Sequence, residues 1–267
     1  MKILYCHQHF STPKFGGGTR SYELAQRLLQ RGHHISMVCG GHTQFNLSPT
    51  KVKGISRGEI DGIDVIQISL PYSNKDSIAK RAITFIKFAW YGIRIALDEE
   101  YDLLFATSTP LTAGIPGIVA KLFKKKRFIF EVRDLWPELP KALGMKNPFL
   151  LGGMSVLEYL SYRMADACIG LSPGICEGIR KKAQKGKRVA MIPNGCDLDI
   201  FKPGSRNNLR LQGVDVDDTV AVFTGAHGIA NGLDAVLDAA RVLKERDRND
   251  IKIYWRWKNK AGFSGSS

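Results

Sequence analysis

Long apolar runs are missing from this 267-residue chain. No stretch of about 18 apolar residues occurs, so the sequence predicts no membrane-spanning helix. The first apolar run, Ile3-Leu4-Tyr5-Cys6, is too short for a secretory signal. Cysteine is sparse: five residues, at 6, 39, 168, 176 and 196, are odd in number, scattered and free of any CxxC pair. That usage predicts reduced thiols in a cytoplasmic protein. His7-x-His9 has no further ligand cluster nearby, which makes a polar loop pair the expectation over a metal site. A Gly-x-Ser-x-Gly elbow is absent, so hydrolase chemistry lacks its nucleophile. Neither a repeat of solenoid period nor a low-complexity tract appears. Acids are in deficit, 25 Asp and Glu against 39 Lys and Arg, and the net charge of +14 calls for a partner or a reason. The basic clusters, Lys121/Lys124/Lys125/Lys126/Arg127 and Arg180/Lys181/Lys182/Lys185/Lys187/Arg188, fall at expected helix ends, where cations complement the dipole. They contain no aromatics beyond Phe123 and Phe128, so nucleic acid is not the expected partner.

What is present reads as a soluble α/β protein. A hydrophobic fraction of 44% suffices for a core, and the length fits one large or two modest domains. Strands are expected at 2–6, 35–39, 101–106, 127–132, 166–171 and 188–192. Glu59–Ser69 reads as two short strands turning on Asp61-Gly62. Between them fall helices at 20–31, 77–98, 149–164 and two opened by Pro110 and Pro173. This alternation predicts a mostly parallel, doubly wound sheet. At Ile192-Pro193-Asn194-Gly195-Cys196-Asp197 the series stops in a turn-rich connection running to about Asp218. A strand at 219–224, a helix over about 231–246 and a strand starting at Ile251-Lys252-Ile253 then give the first β-α-β of a second, incomplete Rossmann-like unit.

Two segments carry candidate chemistry. Phe130-Glu131-Val132-Arg133-Asp134-Leu135-Trp136-Pro137-Glu138 follows directly on an apolar strand, and open α/β sheets place ligands at the carboxyl ends of their strands. The plainer alternative is a loop whose charges pair with each other and whose Trp fills the core. Phe15-Gly16-Gly17-Gly18-Thr19-Arg20 precedes the first helix, whose amino-terminal N–H groups suit a phosphate. These glycines lie about nine residues past the strand end, and no acid follows the second strand to hold a ribose. Both facts argue against a nicotinamide or flavin enzyme. A flexible surface loop is the alternative here.

Taken together, the motifs make the chain resemble a family 4 glycosyltransferase of the two-Rossmann-domain (GT-B) architecture, close to the amino-sugar transferases of bacterial polysaccharide synthesis. The matching residues are Tyr5-Cys6-His7-Gln8-His9-Phe10 with Pro13 and Gly16-Gly17-Gly18, the 131–138 segment, Ile192-Pro193-Asn194-Gly195 with Asp197, and Thr224-Gly225-Ala226-His227-Gly228-Ile229-Ala230-Asn231-Gly232. The resemblance implies transfer of a sugar, an amino or deoxy one, from a nucleotide diphosphate to a lipid-linked or polysaccharide acceptor, with retention and without a bound cofactor or metal. It places Asp134 at the donor sugar or acceptor hydroxyl and Arg133 at a phosphate or beside Asp134. Glu131 and Glu138 are expected to stand behind them. Gly16, Gly17, Gly18, Thr19 and Arg20 would line the cleft, with Asn194 nearby. Gly225, His227, Gly228, Asn231 and Gly232 would meet the diphosphate, although many relatives carry an Arg and a Lys in that loop.

The resemblance also makes an anionic membrane surface the expected partner, with the protein peripheral on the inner face of the cell membrane. In Ile78–Leu97 the cations Lys80, Lys87 and Arg94 recur every seven residues among Ile83, Phe85, Ile86, Phe88, Trp90, Tyr91, Ile93 and Ile95. Such a helix either lies in the membrane interface or is a core helix with three exposed cations. The expected organisation is an acceptor domain over 1–200, a linker over 201–218, the start of a truncated donor domain over 219–253 and an atypical tail over 254–267. The tail, with Tyr254-Trp255-Arg256-Trp257-Lys258, departs from the family and reads as a frame slip or gene truncation. A catalytically inactive remnant that keeps only acceptor or membrane binding is therefore the alternative expectation.

Overall fold

The computed structural model describes residues 1–15, 17–41, 45–73, 76–198, 201–204, 219–223, 231–245 and 251–255. The chain divides into two compact units, Met1–Gly195 and Cys196–Ser267.

The first unit runs β1 (Lys2–Cys6), α1 (Arg20–Gln30), β2 (His34–Gly41), β3 (Ser48–Pro49), β4 (Ile55–Ile60), β5 (Ile63–Ser69), α2 (Ile78–Asp98) and β6 (Leu103–Thr107). It continues with α3 (Gly114–Lys124), β7 (Arg127–Val132), α4 (Glu138–Ala142), α5 (Pro148–Met164), β8 (Ala167–Gly170), α6 (Pro173–Lys182) and β9 (Arg188–Met191). The strands form one sheet in the order β3-β4-β5-β2-β1-β6-β7-β8-β9. Every pairing from β5 to β9 is parallel, and β3 and β4 add an antiparallel edge. From β1 the chain winds outward to β2 and β5, then returns to place β6 on the other side of β1. The topological switch point is thus between β1 and β6, the position where open α/β sheets bind ligands.

Local chemistry explains the boundaries. Ser77, Asn147 and Ser172 cap α2, α5 and α6 with side-chain oxygens on free amides. Asp61 and Gly62 both take positive φ, 49° and 81°, and close the β4–β5 hairpin. Pro110 does not open a helix as its sequence position suggests. Its backbone is extended, and a 3₁₀ turn over Leu111–Ala113 precedes α3.

Apolar side chains bury on both faces of the sheet. Leu4, Phe88, Phe128, Phe130 and Tyr162 lie in one cluster, and Tyr5, Phe10, Ile35, Met37 and Ile63 in the other. Each such side chain contributes about 1.5–3 kcal/mol on burial. Gly92 lets α2 approach α3, since a Cβ there would stand 2.7 Å from Pro116. The second unit contains β10 (Thr219–Phe223), α7 (Leu233–Glu245) and β11 (Ile251–Trp255), with the two strands parallel. Among the described residues no helix is long and apolar enough to cross a membrane.

Candidate functional site

The carboxyl ends of β1, β6 and β7 bring polar side chains together at the switch point. His7 and Gln8 follow β1 and are buried, as are Thr107 at the end of β6 and Ser108 just after it. Glu131 is the penultimate residue of β7 and is fully buried, so its charge needs a partner. Arg20, the first residue of α1, supplies it: Nε and Nη2 donate to Glu131 Oε1 at 3.0 and 2.8 Å. Thr107 donates to the other oxygen at 2.9 Å. Arg20 also donates to the carbonyls of Ile192 and Pro193 at 2.7 and 2.8 Å and to Asn194 Oδ1 at 3.4 Å. One guanidinium therefore ties the start of α1 and the end of β7 to the connection after β9.

Arg133 and Asp134 come next, half-buried, just beyond β7. Ser108 Oγ accepts from the Arg133 amide at 2.9 Å and fixes the turn. The Arg133 guanidinium lies 3.4 Å from His7 Nε2. An arginine can only donate, so Nε2 accepts, and Nδ1 carries the ring proton toward Ser21 Oγ at 2.7 Å. Burial, then Arg133 and His9, push the His7 pKa well below the usual value. His7 is thus a neutral imidazole that orients Arg133 from behind.

Asp134 Oδ2 accepts from Thr109 Oγ1 at 3.1 Å. Thr109 has φ 92°, a conformation that a β-branched residue rarely adopts and that surrounding contacts must hold. The strained backbone lies directly beside the carboxylate with the candidate chemistry.

The rest of the acidic segment anchors. Leu135 packs where a Cβ on Gly178 would come within 2.5 Å. Buried Glu158 accepts from the Trp136 amide at 3.0 Å and from the Tyr162 hydroxyl at 2.7 Å. Lys182 joins Glu158 and Glu138 at 2.6 and 2.7 Å. Burial raises the Glu138 pKa, but Lys182 overrides it and holds the carboxyl below its usual value. Glu138 is exposed and turned toward α6, apart from the Arg133–Asp134 pair.

Gly17, Gly18 and Thr19 lead into α1. Gly17 has φ 147°, and a Cβ on it would meet Ser11 at 3.3 Å. A Cβ on Gly18 would lie 3.9 Å from Arg133 Nη2, so this loop borders the arginine. The Thr19 side chain makes no capping bond, which leaves the first amides of α1 without that competitor. Gly16, Gly225, His227 and Gly228 lie outside the described residues. Asn231 and Gly232 precede α7 and are exposed, and Gly232 has φ 58°.

The structure adds residues that the sequence did not single out as a site: His7, Ser21, Thr107 and Thr109, and, around His9, Tyr72, Arg81 and Phe85. His7 and His9 directly follow an apolar strand, a position that itself marks a switch-point candidate. Ser21, Tyr72, Arg81 and Phe85 carry no local signal, since their neighbours are chosen by chain crossings.

The family model of the Glycosyl transferase 4-like domain matches residues 15–195. No curated protein sequence matches. Among solved structures, the chain is similar to a sucrose-phosphate synthase from Thermosynechococcus elongatus, with 15% identity, TM-score 0.67 and coverage of 96% of this chain and 70% of that one. The trehalose-6-phosphate protein from E. coli bound with UDP-2-fluoro glucose gives 10% identity and TM-score 0.62 over 96% of this chain and 64% of that one. The catalytic domain of starch synthase IV from Arabidopsis thaliana, bound to ADP and acarbose, gives 11% identity and TM-score 0.57 over 97% and 74%. At such identities the likeness establishes the shared fold.

Proposed function

Since the chain belongs to the Glycosyl transferase 4-like family, we propose that this glycosyltransferase moves an amino or deoxy sugar from a nucleotide diphosphate to a lipid-linked or polysaccharide acceptor. The configuration at the anomeric carbon is retained, and the product enters cell-surface polysaccharide. The carrying observation is the Arg133–Asp134 pair, held at the switch point by Ser108, Thr109 and His7 within the matched domain. The acceptor hydroxyl oxygen bonds to the anomeric carbon while the bond to the diphosphate breaks. The hydroxyl proton passes to the departing phosphate oxygen. In this reading Asp134 orients a hydroxyl of the donor sugar or acceptor, and Arg133 meets phosphate charge as it develops. The Gly17–Thr19 loop and the first amides of α1 lie beside the diphosphate. Glu131 and Arg20 act as positioning residues, because their charges satisfy each other.

The same reading makes the protein peripheral on the inner face of an anionic membrane. On α2, Phe88 and Ile95 are buried while Ile83, Ile86 and Trp90 are exposed, next to the exposed cations Lys80, Lys87 and Arg94. An apolar stripe bordered by cations suits a lipid headgroup region.

The test is to incubate the protein with radiolabelled nucleotide diphosphate sugars and polyprenyl-phosphate-linked acceptors, following label into the organic phase. Label in lipid, with the donor's anomeric configuration in the product, is expected. Label only in soluble products would remove the lipid-linked acceptor. Lipid binding without transfer from any donor would favour the non-catalytic reading.

A further inference from the structure

A second cluster stands beside the Arg133–Asp134 pair, where the segment leaving β1 meets the segment entering α2. The His9 ring lies 4.7 Å from Tyr72 and 6.4 Å from Phe85, centroid to centroid, and Tyr72 stacks on Phe85 at 5.8 Å. Arg81, in the first turns of α2, holds its guanidinium carbon 5.8 Å from the Tyr72 centroid. Its Nε is buried and has no hydrogen-bond partner among the described residues. A buried donor left without an acceptor is costly, so such a group marks a place where an acceptor belongs.

The charge balance gives that acceptor a sign. Burial first, then Arg133, then Arg81, lower the His9 pKa to about 4, so His9 adds no charge near neutrality. Two guanidinium groups thus act on one neutral imidazole. Of the acids nearby, Glu131 pairs with Arg20, and Asp76 accepts from Lys80 and from the Ser73 amide while also feeling the Arg81 charge; none of these bonds goes to Arg81 Nε. A guanidinium fork matches the oxygens of a phosphate, and aromatic faces, which carry negative potential, suit the C–H face of a sugar.

Resting on the transferase reading above, we propose that Arg81, with His9, Tyr72 and Phe85, binds a phosphoryl group and the adjoining sugar of the acceptor. Arg81 takes the phosphate, and the Tyr72 and Phe85 rings take the sugar. The phosphate belongs either to a lipid-linked sugar or to a soluble sugar phosphate.

The test measures binding of two probes by calorimetry, glucose 1-phosphate in solution and a polyprenyl phosphate in neutral vesicles, with inorganic phosphate as the control that lacks the sugar. Arg81→Gln is expected to weaken binding of at least one probe by about tenfold or more, the loss of a charge-assisted hydrogen bond. Arg27→Gln, an exposed cation on α1, should leave it unchanged. Arg81→Lys should recover only part, because an ammonium lacks the fork. Tyr72→Leu should weaken glucose 1-phosphate but not inorganic phosphate. An effect on the vesicle probe alone assigns a lipid-linked acceptor, and one on the soluble probe alone assigns a sugar phosphate. Unchanged binding of both probes to Arg81→Gln and Arg81→Lys, each with the parent melting temperature, overturns the proposal. Arg81-dependent phosphate binding in a protein that transfers no sugar would overturn the transferase reading while leaving this site standing.

Discussion

Asp134 is held by one hydrogen bond from a residue with strained backbone, an arrangement that fixes the carboxylate without neutralising it. Losing one preorganised polar group at a reacting centre costs about 10²–10³-fold, so Asp134→Asn is expected to lower transfer by about a hundredfold or more. The melting temperature should stay at the parent value, and near-normal turnover would return Asp134 to the status of a loop charge. Arg20 and Glu131 behave differently, because each is the other's buried counter-ion. Removing one leaves an uncompensated charge, at about 3–5 kcal/mol. Arg20→Met should therefore destabilise the protein by that amount in urea unfolding, with Arg20→Met/Glu131→Gln recovering much of it. His9 gives a pH signature. The unfolded chain protonates it near 6.5 and the folded chain near 4, so between these values the unfolded state binds more protons. Stability should fall as the pH drops through this window, by up to about 3 kcal/mol from His9, and this group should contribute no slope above it. His7, lowered by burial and Arg133, adds the same sign. Urea midpoints at pH 7.5 and 4.5 for the parent and His9→Gln check this; identical pH slopes would refute it.

At the scale of elements, α3 lies against β7 because Gly117 has no side chain. A Cβ there would stand 2.1 Å from the Phe128 ring. Overpacking of this kind costs about 1–3 kcal/mol, so Gly117→Ala should lower the urea midpoint, whereas Gly174→Ala, with open space around it, should not on steric grounds. On α2 the buried side mixes Phe88 and Ile95 with the small Thr84, Ala89, Gly92 and Ala96, whereas Ile83, Ile86 and Trp90 are exposed beside the cations. Replacing Lys80, Lys87 and Arg94 with Gln should weaken binding to anionic vesicles by roughly 3 kcal/mol, at about 1 kcal/mol per cation. High salt should release the parent protein, because the Debye length falls to about 3 Å at 1 M. Equal binding to neutral and anionic vesicles would remove the electrostatic part of the idea.

For the molecule as a whole, both described core clusters draw their residues from the first unit. Among the described residues its sheet runs from β3 to β9 without a strand from the second unit. A fragment of residues 1–195 is therefore expected to unfold in one cooperative transition. A non-cooperative melt of the fragment would mean that the second unit supplies part of the first unit's stability.

Much of this architecture was legible in the residues themselves. Apolar runs such as Phe128–Phe130, punctuated by Asp61-Gly62 and by capping Ser77 and Ser172, specify strands, turns and helices through short-range sterics and hydrogen bonding, and their alternation specifies a parallel sheet. Pro140 and Pro49 mask the short α4 and β3 in the local sequence pattern. The position of Arg133-Asp134 past a buried strand likewise marks a candidate site in the sequence alone. What the sequence could not divide was the acidic segment itself. Glu131 faces Arg20 across 111 residues of chain, Glu138 turns to Lys182, and Trp136 is tied by its amide to Glu158. His9 meets Tyr72 and Arg81 by the same kind of crossing. Strand order alone creates these neighbours, and burial then decides which charges must be satisfied within the protein and which stay available to a ligand.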